Sequence, residues 1–61
     1  PMIERIGGDQ VTMFAWGDWY YVQVQDLETG EERHVFSSPH RDVAISAFHI
    51  EVRALREFWT L

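Results

Sequence analysis

Cysteine, lysine and asparagine are all missing from this sequence. Without cysteine the fold can be held by neither disulfides nor thiolate metal sites. The three histidines cannot complete a four-ligand centre unless carboxylates join them, and their spacing matches no ligand pattern. Without lysine, five arginines are the only fixed cations against ten acidic residues, for a formal charge of −5. Free nucleic acid and anionic membranes are therefore poor default partners, and a basic protein surface is a better one. Lysine and asparagine codons are AT-rich, so their joint absence suggests a high-GC genome. No apolar run is long enough to span a bilayer and no leader pattern is visible, so the expectation is a soluble, cytoplasmic chain.

Catalytic signatures are equally scarce. No serine or threonine sits in a G-x-S-x-G context. Gly7-Gly8-Asp9 is too short for a phosphate loop and has no lysine beside it. Nothing implies a cofactor. Pro1 could act as an amino-terminal base, as in the tautomerases, but that fold needs a β-α-β order. A single-stranded nucleic-acid binder using displayed aromatics is the other alternative, against the acidic balance.

What is present is apolar and aromatic. A chain of 61 residues hides only about 60% of the surface its unfolded form exposes, so its core must be supplemented or unusually rich in large side chains. Five of the eight residues in Phe14–Tyr21 are aromatic, split around Gly17-Asp18. Two strand-like runs about a two-residue Gly-X loop predict a tight hairpin, with glycine supplying the positive φ. That closure pairs Trp16 with Trp19, Ala15 with Tyr20, Phe14 with Tyr21, Met13 with Val22, Thr12 with Gln23 and Val11 with Val24.

Alternation then separates two faces. Val11, Met13, Ala15, Tyr20, Val22, Val24 and Phe36 form an aliphatic face that a helix can cover. Phe14, Trp16, Trp19 and Tyr21 crowd one end of the other, with Thr12, Gln23, Gln25 and Arg33 beyond them. Met2–Ile6 is a further short strand closed by Gly7-Gly8-Asp9. Gly30 suits the left-handed position of a bulged turn before Glu32–Phe36. Ser38 predicts an N-cap and Pro39 the first position of a helix running to about Trp59. The fold class is therefore α+β, a single small domain with an antiparallel β-meander of three to four strands packed on one long C-terminal α-helix.

The helix carries two apolar stripes. Val43, Ala47, Ile50, Ala54, Phe58 and Leu61 form one; Ala44, Phe48, Leu55 and Trp59 form the other, with Ile45 and Val52 just beyond. Together they cover roughly 220° of circumference, more than one sheet can bury. The expectation is a homodimer whose interface uses Ile45, Phe48, Glu51, Val52, Leu55, Phe58 and Trp59. Glu51 lies within the apolar arc, where it either reaches solvent at the edge of the contact, pairs with an arginine such as Arg41 or Arg5, or serves as a carboxylate at the dimer seam; if enclosed, it must have a partner.

The general layout resembles some small dimeric phage-encoded inhibitors that block uracil-DNA glycosylase by presenting acidic groups like a DNA backbone. It is also similar to the three-strand-and-helix accessory proteins of nonribosomal peptide synthetases. The accessory proteins' tryptophan-proline signature is absent and the acidic residues form no phosphate-spaced row, so no family is assigned. The resemblance implies an inhibitor of another protein. The functional expectation is a small acidic, non-enzymatic protein-interaction module. Phe14, Trp16, Trp19 and Tyr21 would contact the partner, for which a basic nucleic-acid-binding protein is the candidate, and Glu28, Glu31 and Glu32 would steer it.

Overall fold

A computed structural model describes residues 2–61; the Pro1 base reading lies outside the described residues. Four strands precede one helix: β1 (Met2–Ile6), β2 (Asp9–Trp16), β3 (Trp19–Asp26), β4 (Glu32–Ser38) and α1 (Arg41–Trp59). The strands form one antiparallel sheet in the order β1-β2-β3-β4. This is the expected α+β meander with its helix on one side. No described helix is long and apolar enough to cross a membrane.

Local chemistry sets the turns. Gly17 has φ 62° and joins β2 to β3 as the first residue of a two-residue loop, where a primed turn needs glycine. The resulting register is the one read from the sequence, Trp16 opposite Trp19 through Val11 opposite Val24. Between β3 and β4 the Asp26 carboxylate accepts hydrogen bonds from the N–H groups of Glu28 and Thr29, at 2.9 and 3.2 Å. Gly30, at φ 81°, donates its own N–H to the Asp26 carbonyl at 2.7 Å. The loop is thus held by its own groups.

The core lies between α1 and the aliphatic sheet face. Ile6, Val11, Met13, Val22 and Val24 meet Ala44, Phe48, Val52 and Leu55. Burying a side chain of this size contributes about 1.5–3 kcal/mol. The helix face is a correction to the expected dimer seam: Phe48, Val52 and Leu55 are buried inside the monomer and are not available to a second chain. Ile45 is half-buried against the same cluster. The physical reason is volume. Along the middle of the helix the sheet-facing stripe carries Phe48, Val52 and Leu55, which fill the space over Ile6, Met13 and the valines more fully than Ala47, Ile50 and Ala54 would.

Two other expectations are corrected. The helix starts at Arg41, because Ser38 still pairs with Tyr20 in the sheet. Pro39 disfavours the helical conformation in the residue before it. The Ser38 Oγ accepts from the His40 N–H at 3.0 Å, so it satisfies the approach to the helix rather than its first turn. The second correction is Arg33. A register shift after Val22 leaves Val35 as an extra residue in β4 and sets Arg33 opposite Val24, on the helix side. There its Nη2 lies 3.2 Å from Glu51 Oε1. Glu51 does have its cation, but Arg33 supplies it rather than Arg41 or Arg5.

Candidate interaction surfaces

The second face of the sheet is left uncovered by the chain itself. Phe14 and Trp16 from β2 share it with Trp19 and Tyr21 from β3, as strand alternation requires. Trp16 is 74% exposed, Trp19 45% and the neighbouring Ile3 of β1 54%. The rings are ordered by contact: Phe14 and Tyr21 stack with centroids 5.4 Å apart and planes 20° off parallel. His34 of β4 approaches Tyr21 edge-on at 6.2 Å. The bulge that turns Arg33 away is what places His34 on this face, and sequence alternation alone does not reveal it. Arg5 lies on the same face, where its Nε donates to Gln10 Oε1 at 2.9 Å.

The opposite end of the molecule is acidic. Glu28 and Glu31 project from the β3–β4 loop, Glu32 opens β4, and all three are exposed. With Asp9 and Asp26 they make up half of the ten acidic residues. From Trp19 to Gln25, which pairs with Glu32, the strand extends about 20 Å. The structure therefore puts the aromatic and acidic candidates on one sheet but at opposite ends, and they form no single pocket.

A second apolar surface runs along the side of α1. Val43 and Ile50 are 43% and 65% exposed, Ala54 is exposed and Ala47 half-buried. Beside them lie the half-buried Val35 and Phe36 of β4. Of the expected seam residues, Phe58 is 63% exposed and Trp59 46%. Trp59 folds back over Gly7 and Gly8, and its Nε1 donates to Asp9 Oδ2 at 3.1 Å. One side of the ring thus helps close the monomer, while 46% of the residue stays exposed. The 19 residues of α1 span about 28 Å, close to the length of the eight-residue strands, so little helix overhangs the sheet.

Chemistry-bearing side chains stay apart. His34 lies on the open sheet face, His40 precedes the helix and His49 packs edge-on against Phe48. Among the described residues no group of three histidine or acidic side chains could hold a metal ion. The Arg33–Glu51 pair is structural in form, with Glu51 the less exposed partner. Arg33→Ala is expected to lower stability by about 0.5–1 kcal/mol, since the arginine is largely solvated. Urea unfolding of Arg33→Ala, Glu51→Ala and the double variant checks this: the pair exists only if the losses fail to add.

No protein-family model, curated protein or solved structure matches the chain. Geometry and charge carry the functional reading.

Proposed function

We propose that this chain is a non-enzymatic protein-interaction module that docks on another protein through the open aromatic face of its sheet. One observation carries the reading. Two exposed tryptophans and a half-buried, stacked Phe-Tyr pair on the β2–β3 hairpin share one open sheet face with the exposed Ile3 of β1. Large rings lose little conformational freedom on binding and dominate interface energetics when a partner desolvates them. The acidic loop at the far end steers association with a basic partner. A nucleic-acid-binding enzyme fits that charge, and docking on it would block it.

Trp16→Ala is expected to change unfolding free energy by less than about 1 kcal/mol, because the residue is 74% exposed, and Trp19→Ala, at 45% exposed, by about 1 kcal/mol. Capture of a specific protein from a lysate should fall at least about tenfold for the same variants. Glutamine at 28, 31 and 32 should slow association and flatten its salt dependence without abolishing it. Capture that survives both tryptophan changes would sink the reading.

The Phe14–Tyr21 stack supports a second reading, base stacking by single-stranded nucleic acid. Its electrostatic side is thin, since Arg33 faces the helix and Arg5 is engaged by Gln10. Tryptophan quenching by an oligonucleotide, with steep salt dependence, would favour it over protein docking.

A further inference from the structure

We propose that the lateral stripe Val43-Ala47-Ile50-Ala54 is the seam of a two-fold homodimer in which two copies of α1 pair antiparallel. The stripe lies about a third of a turn round the helix from the core-facing residues, so Val43, Ile50 and Ala54 are exposed in the folded monomer and Ala47, at the edge of the core, is half-buried. Val43 and Ile50 are one heptad apart, as are Ala47 and Ala54. That is the spacing of a helix-pairing seam, sustained over two heptads.

The order of sizes selects the occupant. Running the stripe backwards against itself sets Val43 opposite Ala54 of the second copy and Ala47 opposite its Ile50. Each bulky side chain meets an alanine at every layer, which lets the axes approach to about 8 Å with the layers interlocked. A parallel pairing in register would stack Ile50 on Ile50 and alanine on alanine, giving alternate bulges and voids. A surface that complements its own reversed image is what a two-fold interface requires and what an unrelated partner does not. The flanks agree. The same alignment sets Glu57 opposite His40 of the second copy and brings Arg53 within reach of its Asp42. On the sheet side, Val35 and Phe36 widen the apolar strip. The seam stands independently of docking on the open sheet face, which lies on the other side of the molecule.

Sedimentation equilibrium of the full chain from micromolar to millimolar concentration tests the seam, the expected mass being twice 7.2 kDa. Ile50→Asp should weaken the dimer by about 100-fold or more, since it inserts two charges into one seam. The exposed position should leave the far-ultraviolet circular dichroism of the monomer unchanged. The absence of native cysteine allows a register test. Under mild oxidation, mixed Val43→Cys and Ala54→Cys chains should cross-link, because facing positions come within disulfide reach. Neither variant alone should do so. Trp19→Ala should leave the dimer intact, which separates this seam from the docking face. A wild-type monomer at millimolar concentration would overturn the proposal. So would undiminished dimerisation of Ile50→Asp, cross-linking of Val43→Cys alone, or loss of the dimer in Trp19→Ala.

Discussion

Phe48→Ala is expected to cost about 3–5 kcal/mol, the range for removing a buried ring from a packed core. A domain of this length has a total stability of roughly 3–9 kcal/mol. At 25 °C the variant should therefore be largely unfolded or close to its midpoint. Phe48 is 4% exposed and sits between Ala44 and Val52 on the buried face of α1. Its neighbours are held by backbone pairing in the sheet, so they cannot collapse into the cavity it leaves. Urea unfolding followed by circular dichroism measures the loss. Ile50→Ala is the control, because an equally apolar residue on the other stripe should cost less than about 1 kcal/mol in dilute solution. If Ile50→Ala proved the costlier change, the helix would be rotated relative to its described position.

Gly7→Ala is expected to expel Trp59 from its seat. A Cβ at residue 7 would fall onto the carbons of the indole, well inside contact distance, and Gly7 holds a φ of +58°. The variant therefore loses the indole contact and the hydrogen bond to Asp9, and it keeps a strained backbone. Left-handed strain accounts for about 1–2 kcal/mol and the displaced ring for about 2 more. A double-mutant cycle separates the two parts. In a Trp59→Ala background the same glycine change should cost only the strain, so the two losses should add to more than the double variant shows. Strict additivity would mean that the indole does not rest on the turn in solution. Tryptophan fluorescence gives a second readout, with the emission of Trp59 moving to the red as the ring is released.

The Gly7-Gly8 pair also shows how much of the site was legible. As a turn it is plain from the two glycines alone. As a seat for Trp59 it is not, because more than fifty residues of chain separate the partners and nothing local links them. The acidic loop is the opposite case: Gly30 takes the left-handed conformation expected of it, within a few residues of the Asp26 carboxylate that holds the turn. The aromatic face was equally plain, since a two-residue hairpin leaves one possible alternation. His34 was missed on that face because a one-residue bulge in β4 reverses the inward and outward assignment of everything before it.

Sequence alone determined the order of elements, the register of the central hairpin and the concentration of rings on one side of it. These depend on turn residues and a two-residue period, which act over a few positions. Tertiary structure decided which of two apolar stripes faces the sheet, where Arg33 finds Glu51 and what Trp59 covers. Each of those depends on volume and reach across the gap between layers. Two stripes of nearly equal hydrophobicity cannot be told apart by counting; only the fit of Phe48 and Leu55 against a floor of valines separates them.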